Sequence, residues 1–251
     1  MVTPNDVLRI AGLIAFVGGI VLFVIGFYYY KKKRLIQDTP TSKIRSLAMG
    51  LVEIHGYVVP VEGRLFQSPF TESPCVYYRD TIEEFRSTGK SAQWVTIHKQ
   101  EQWELFYLKD DTGMVLINPM DASFDIEKTY ESATALREEP SDAVKRYLAA
   151  NNIAYRGLLG FNKALRFREH TVVPKEEIYI IGTAEENPFH DDPTLNLGRE
   201  QTVIRKGNME KMFFISDKRE WEIAREFGWK AAGGIGGGFL CLVFGIIMII
   251  V

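Results

Sequence analysis

Three short segments of the sequence contain residue types that catalyse reactions or bind metals in other proteins. Cys75 lies in "ESPCVYYRD", the triplet "DTG" occupies residues 111–113, and "FHDDP" occupies residues 189–193. The corresponding chemistries are a thiolate nucleophile, the carboxylate of an aspartic protease and a metal site with His and Asp ligands. Each has to be weighed against the ordinary structural role of the same residues.

Cys75 is better explained as a structural residue than as a nucleophile. A nucleophilic cysteine needs a neighbouring base, and none of the four histidines lies in a recognisable Cys/His motif. Cys75 instead opens the apolar run Cys-Val-Tyr-Tyr, in which both faces of a strand look buried. Because free cysteine is among the most buried residue types, we expect it to pack in a core.

The other two segments are typical of turns and loops. A catalytic "DTG" needs a second aspartate from another copy, whereas Asp111 and Gly113 are also the residues that a tight hairpin turn favours. His190, Asp191 and Asp192 are adjacent in a proline-bounded loop and lack the usual spacing of metal ligands. We therefore predict no catalytic, cofactor or metal site; a membrane-bound hydrolase using Cys75 or Asp111 is a remote alternative.

Two apolar segments predict membrane-spanning helices. Residues 10–30 carry no charge over 21 positions, and residues 231–251 repeat this pattern, which is the length that crosses about 30 Å of hydrocarbon. A secretory signal is disfavoured because "KKKR" follows the first segment where a cleavage site would stand. The predicted organisation is a first span, a basic connector, a soluble domain, a juxtamembrane helix and a second span, at 7–30, 31–50, 51–216, 217–230 and 231–251.

Basic residues form a collar beside both spans, on the side of the soluble domain. The collar comprises Lys31, Lys32, Lys33, Arg34, Arg225 and Lys230. By the positive-inside rule the domain faces the cytosol, and the collar suits anionic lipid head groups. Residues 35–230 contain 25 basic and 31 acidic residues, a net charge of −6, so we expect no nucleic-acid partner.

The residue pattern of the soluble segment predicts a mostly β domain. "LVEIHGYVVPV" alternates apolar and polar residues, and "CVYYRDTIEEF", "QWVTIHK", "LRFREHTVV" and "EIYIIGTAEE" are further strand patterns. A hairpin is expected to turn at 111–113, and Ser141 is placed to cap a helix from Asp142. The predicted fold class is membrane-anchored α+β, with one barrel- or sandwich-like domain between two transmembrane helices.

Small residues in both spans suggest close helix packing. Gly233 and Gly237, and Gly234 and Gly238, are spaced four apart, and the first span has a similar row of Ala11, Ala15 and Gly19. Such residues allow membrane helices to approach closely, within one chain or by self-association. The alternative is that glycine is simply common in spans.

In their order along the chain, these motifs resemble a known family. The chain has a span with a basic end, then "SPFTESPCVYYR", "DTGMVLINP" and "REHTVVP…YIIGTA", and then a second span. This order resembles the mitochondrial membrane-anchored E3 ubiquitin ligase family known as MULAN or MAPL, whose GIDE or "beside a membrane" domain lies between two transmembrane helices. The resemblance marks as structural signature residues Pro74, Cys75, Tyr77, Tyr78, Asp111, Gly113, Pro119 and Gly182. For a eukaryotic organelle protein it would place the domain between two membranes; in a prokaryote the cell membrane is expected.

The resemblance also raises the question of ubiquitin transfer. In that family the activity resides in a RING after the second span, a zinc module of eight Cys and His ligands, whereas this sequence ends at Val251 and has two cysteines. We expect a form without the RING, in which the domain is a non-catalytic module that binds or senses unidentified protein partners. The alternative is an accessory subunit of a RING-type ligase system whose RING is supplied by another chain.

Overall fold

The computed structural model describes residues 4–87, 89, 91–134, 138–157, 161–188, 201–208 and 212–250. The chain divides into two compact units. One comprises the terminal segments, Met1–Pro40 and Arg219–Val251, and the other comprises Thr41–Lys218.

The terminal unit is a pair of long helices, α1 (Pro4–Asp38) and α3 (Glu220–Ile250). Both are long and apolar enough to cross a membrane, and many of their apolar side chains are exposed, including Ile14 at 68% and Leu240 at 69%. That much exposed apolar surface is expected of helices solvated by lipid. These are the two candidate membrane spans of the chain.

Both helices continue beyond the charge-free segments. Lys, Arg, Leu and Gln are good helix formers and predominate at residues 31–37, so α1 extends through the collar. It ends at Asp38, shortly before Pro40, which restricts the preceding residue. The segments 217–230 and 231–251 likewise contribute to one helix, α3, rather than to two separate elements.

The central unit contains a closed five-stranded barrel. Its strands are β1 (Gly50–Pro60), β6 (Phe106–Lys109), β7 (Met114–Ile117), β11 (Glu177–Glu186) and β12 (Thr202–Arg205). They are ordered β1-β6-β7-β12-β11, with β11 pairing back onto β1. Only β7 and β12 are parallel within this ring. The predicted α+β class with a mostly β domain is confirmed, and the domain is a barrel.

The connectivity of this barrel is that of the OB-type Greek key. In barrel order the strands run first, second, third, fifth and fourth, and the long first strand pairs with both the second and the fourth. At Tyr57, β1 passes from β11 to β6, and a Cβ on the neighbouring Gly56 would lie 2.5 Å from the Lys109 carbonyl oxygen. Only glycine fits this close approach. This connectivity identifies the fold of the domain, but a fold alone does not identify a ligand.

Two short strands extend the barrel sheet beyond β11. β13 (Phe214–Ser216) pairs with β11, and β8 (Ser123–Asp125) pairs with β13 in parallel. The barrel core is formed by apolar side chains from most of these strands, among them Ile54, Leu108, Ile117, Ile180, Ile204 and Ile215.

A second sheet of four strands is inserted into the barrel connections. It is ordered β5-β4-β10-β9, comprising β5 (Ala92–Trp103), β4 (Tyr77–Ser87), β10 (Leu165–Val172) and β9 (Tyr130–Thr134). Helix α2 (Asp142–Ala150) packs on one face, and the Ser141 hydroxyl caps it by accepting from the Val144 N–H, as predicted. A small ladder, β2 (Phe66–Gln67) with β3 (Pro74–Cys75), precedes β4.

The face of the second sheet under α2 has its own apolar core. Alternate strand residues such as Ile82, Leu165 and Phe167 meet Val144 and Leu148 of the helix. Among the residues that the structure describes, no helix packs on the opposite face, which is largely charged, as is usual for an antiparallel sheet with one solvated side.

Candidate functional site

Cys75 is enclosed in the fold. It lies in β3 opposite Phe66 with 0% of its surface exposed. Burial, assisted by the negative charge of Glu169, raises the pKa of its thiol to about 12. The group is therefore a thiol at neutral pH, with neither the ionisation nor the access that a nucleophile needs.

The aromatic residues that follow Cys75 anchor the second sheet. Tyr77 stacks on Phe124 with ring centroids 3.8 Å apart, and its hydroxyl donates to Glu101 at 2.7 Å. The Tyr78 ring packs edge-on against Phe66, and its hydroxyl accepts from the side-chain amide of Gln100 at 3.1 Å. The segment therefore joins the short ladder, β5 and β8.

The "DTG" segment is a hairpin turn organised by the aspartate before it. Asp110 Oδ1 accepts from the backbone N–H groups of Thr112 and Gly113, and its Oδ2 accepts from the Ile44 N–H at 3.0 Å. Burial acts to raise the Asp110 pKa, but these hydrogen bonds outweigh it and lower the pKa to about 2. Asp111 is exposed and forms an ion pair with Lys43. The turn thus fastens residues 43–45 to β6 and β7.

Pro119 and Gly182 also have structural positions. The Pro119 carbonyl accepts from the Ala122 N–H in a turn after β7. Gly182 lies in β11 where a Cβ would stand 2.7 Å from Ile204 and 2.9 Å from the Phe213 ring. Ile204 and Phe213 pack directly against the backbone of Gly182, so a larger residue at this position would displace them. Pro74 pairs with Gln67 and is exposed.

A polar network lies between the second sheet and α2. The Asp80 carboxylate, on β4, is fully buried, and its Oδ2 lies 3.0 Å from the Tyr147 hydroxyl of α2. The same hydroxyl lies 2.8 Å from Gln100 Oε1 and 2.9 Å from His98 Nε2, both on β5. One tyrosine therefore links three neighbouring polar side chains.

The protonation of this network follows from its burial. Burial, with a smaller contribution from the charge of Glu169, raises the Asp80 pKa to about 7, although the hydrogen bond from Tyr147 opposes the shift. Burial also lowers the His98 pKa. His98 Nε2 lies 3.5 Å from Asp80 Oδ2, and both pKa shifts favour the neutral forms of these groups. The Tyr147 hydroxyl has one proton, which it donates either to Asp80 Oδ2 or to Gln100 Oε1.

A second buried carboxylate lies beside the first. Glu169, on β10, is directly opposite Asp80 in the strand pairing and is also fully buried. It accepts from the Phe70 N–H at 2.7 Å and from the hydroxyls of Ser68 and Thr71 at 3.1 and 2.6 Å. These donors hold the loop between β2 and β3 against the sheet, which gives Glu169 a structural function.

Asp80 and Glu169 are not among the candidate residues predicted from the sequence. The available signal was alternation: Asp80 falls on the same strand face as Tyr78 and Ile82, and Glu169 falls on the same face as Phe167. A carboxylate at an apolar position of an alternating strand predicts a buried, hydrogen-bonded acid. The contacts from α2 and β5 could not be found from sequence, because they join residues far apart in the chain.

The uncovered face of the second sheet ends in an aromatic patch. Phe85 and Trp94 are cross-strand neighbours with ring centroids 5.3 Å apart, and the Arg166 guanidinium lies 4.4 Å from the Trp94 centroid. Arg166 is held in place by Glu83, 2.6 Å away. We call Phe85, Trp94 and Arg166 the aromatic patch. Phe85 is 44% exposed.

In the terminal unit, glycines of α1 and α3 form the helix contact. Gly234 and Gly238 lie against α1, where an added Cβ would meet Gly26 at 2.6 Å and Phe23 at 2.7 Å respectively, whereas Gly233 and Gly237 meet no described atom within 4 Å. Contacts also include glycines spaced seven apart, pairing Gly12 with Gly245 and Gly19 with Gly238. The helices are therefore antiparallel.

The basic collar is partly engaged within this unit. Lys32 lies over the Tyr28 and Phe227 rings, Arg34 pairs with Asp38, and Lys230 pairs with Glu226. Lys31 is exposed. Lys33 and Arg225 lie together in one groove.

The third reactive segment, with His190, Asp191 and Asp192, lies outside the residues that the structure describes. Among the described residues, no three His, Cys, Asp or Glu side chains are grouped as metal ligands.

The family model GIDE, described as an E3 ubiquitin ligase, matches residues 76–248. No curated protein and no solved structure matches the chain.

Proposed function

Because the chain belongs to the GIDE family and carries two candidate membrane spans, we propose that it presents its GIDE domain at one face of a bilayer as a non-catalytic interaction or sensing module. The antiparallel pairing of α1 and α3 supports the tethered arrangement. The chain leaves α1 and re-enters α3 at the same end of this pair. By the positive-inside rule that end is cytosolic.

The observation that carries the interaction role is the aromatic patch on the uncovered sheet face. Trp and Arg are enriched among residues that dominate binding energy, and a stacked, ion-paired arginine loses little conformational freedom on binding. Phe85 adds apolar area beside them. A partner with a complementary apolar or aromatic surface fits this patch.

The residues with catalytic potential have structural functions that agree with this proposal. The Cys75 thiol is enclosed, and Asp111 is an exposed member of an ion pair in a turn. Asp80 and Glu169 are hydrogen-bonded inside the domain.

Site-specific photo-crosslinking in native membranes tests the interaction role. A photoreactive phenylalanine at Phe85 should give a discrete adduct, and the same group at Met120, which is 57% exposed outside the aromatic patch, should not. Trp94→Ala should reduce the Phe85 adduct about fivefold or more, which corresponds to a loss of about 1 kcal/mol or more of binding free energy. Equal adducts from both positions, unaffected by Trp94→Ala, would contradict the proposal.

A second candidate function is that of an accessory subunit in a ubiquitin ligase system. The description of the matching family, E3 ubiquitin ligase, favours it. In this arrangement a separate chain supplies the RING, and the GIDE domain binds that chain or its substrate. Purification from native membranes should then recover ubiquitin-chain synthesis that Trp94→Ala diminishes. If the crosslinked partner is recovered without any ligase activity, the accessory function in a ubiquitin ligase system is excluded. The result would still agree with a non-catalytic interaction module.

A further inference from the structure

The terminal unit contains a groove that the domain's proposed function does not use. It has a volume of about 490 Å³ and lies between α1 and α3, with Lys33 and Gln37 on one side and Ala224, Arg225, Gly228 and Trp229 on the other. We call it the collar groove. Trp221 and Glu220 complete its outer end.

The membrane end of the collar groove lies at the depth of lipid head groups if the charge-free segments span the hydrocarbon. At 1.5 Å per helical residue, Lys33 is about 4.5 Å beyond residue 30 and Trp229 is about 3 Å before residue 231, whereas Arg225 is about 9 Å before residue 231, at the aqueous side of the layer. The head-group layer occupies about 5–7 Å on each side of the hydrocarbon. Tryptophan is enriched at this boundary, and Trp229 is 76% exposed.

Residue spacing along α3 creates the shape of the groove. Trp221, Arg225 and Trp229 are four residues apart and form one ridge of large side chains, with the Arg225 guanidinium 5.0 Å from the Trp221 ring centroid. Ala224 and Gly228 lie on the neighbouring row of α3, and their small size leaves the space that forms the bottom of the groove. A Cβ at Gly228 would lie 3.4 Å from Lys33 Nζ, so the missing side chain leaves space beside this amine.

The two cations of the groove are available to an anion. Among the described residues, neither Lys33 nor Arg225 has a carboxylate oxygen within 4.0 Å, whereas Arg34 and Lys230 of the same collar are paired with acids. Lys33 is only half-buried and has a long stem that can reach the head-group layer. Glu220 is the acidic residue of the lining and lies at the outer end, five positions before Arg225.

We propose that the collar groove binds the head group of one anionic phospholipid. The phosphate lies between Lys33 and Arg225, where two cations form charge-assisted hydrogen bonds with its oxygens. The glycerol and the first acyl carbons contact the exposed Trp229, and Gln37 is placed to hydrogen-bond the head group. This is a specific lipid site, distinct from the diffuse attraction of the whole collar to a charged surface.

Native mass spectrometry of the full chain in detergent tests this site with dioleoyl phosphatidylglycerol and dioleoyl phosphatidylcholine. The native protein should retain one phosphatidylglycerol in preference to phosphatidylcholine. The double variant Lys33→Gln/Arg225→Gln should weaken phosphatidylglycerol binding about 10- to 30-fold, since each basic residue near a lipid surface contributes roughly fivefold.

A charge-matched control separates the groove from the collar. Lys31→Gln/Arg219→Gln removes the same charge from two exposed residues of the terminal unit that do not line the groove, and it should change binding less than about twofold. Gly228→Leu should reduce binding by filling the bottom of the groove while leaving both charges in place. Equal losses in the two double variants, or equal binding of the two lipids by the native protein, would overturn the proposal. So would full displacement of the lipid by millimolar inorganic phosphate, which would indicate a site for the free anion.

Discussion

Replacing Asp80 by Asn should make the GIDE domain more stable at alkaline pH. In the folded protein the Asp80 pKa is raised from 3.8 to about 7, chiefly by burial, whereas the unfolded chain ionises near the ordinary value. Between these two values the unfolded state loses a proton that the folded state keeps. The native domain therefore loses stability as the pH rises from about 4 to about 7, and the loss is complete above pH 7.

The size of the effect follows from the two pKa values. The full shift corresponds to about 4 kcal/mol, of which about 1.5 kcal/mol is already lost at pH 5. The free energy of unfolding of the native protein relative to Asp80→Asn should therefore fall by about 2–3 kcal/mol from pH 5 to pH 8. For a domain of this size, that difference shifts the melting temperature by about 5–10 °C.

The assay is thermal unfolding of the full chain in detergent at pH 5, 6, 7 and 8, followed by tryptophan fluorescence in a background in which Trp221 and Trp229 are replaced by Phe, so that the signal comes from Trp94 and Trp103 of the central unit. The difference between native and Asp80→Asn melting temperatures isolates Asp80, because His98, Tyr147 and the other titrating groups are common to both proteins. Asp111→Asn is the control, since Asp111 is exposed in its turn. A difference that is constant with pH, or a native protein that gains stability relative to Asp80→Asn as pH rises, would refute a neutral, buried Asp80.

Three further predictions concern the thiol, the helix contact and zinc. Cys75→Ala should preserve any activity and cost roughly 1 kcal/mol or somewhat more through lost apolar contact, and rapid labelling of the native thiol at neutral pH would contradict its burial. Gly238→Leu should lower the melting temperature of the helices in detergent, because overpacking costs about 1–3 kcal/mol, while Gly237→Leu should not; equal effects would exclude the observed helix contact. The purified 251-residue polypeptide should hold no stoichiometric zinc by elemental analysis and form no ubiquitin chains with conjugating enzymes. Chain synthesis by this polypeptide alone would falsify a non-catalytic function.

Sequence patterns correctly predicted the helices and strands whose residues are continuous in the chain. The charge-free runs predicted both candidate spans, and Ser141 before an amphipathic segment predicted α2 and its cap. Alternation predicted most strands and the mostly β class. The barrel closure was not available from these patterns, because it depends on β11 returning to β1 across more than a hundred residues.

The candidate sites were harder to predict, because each is assembled from distant segments. The aromatic patch joins β4, β5 and β10, and the Asp80 network joins α2 to two strands. Of the four α3 glycines that the four-residue spacing identified, Gly234 and Gly238 lie against α1, whereas Gly233 and Gly237 meet no described atom of it. Which glycines face the partner helix depends on the rotation of one helix against the other, and the spacing within one helix does not determine that rotation.

The two-span arrangement requires both ends of the GIDE domain to connect to the same face of one bilayer. This is measured by labelling single cysteines with a membrane-impermeant maleimide in sealed vesicles, in a background with Cys75→Ala and Cys241→Ala. Lys31→Cys and Arg219→Cys should both react from the cytosolic face, and Thr3→Cys should react only after permeabilisation. Labelling of Lys31→Cys and Arg219→Cys from opposite faces, or of Thr3→Cys from the same face as both, would contradict the two-span arrangement.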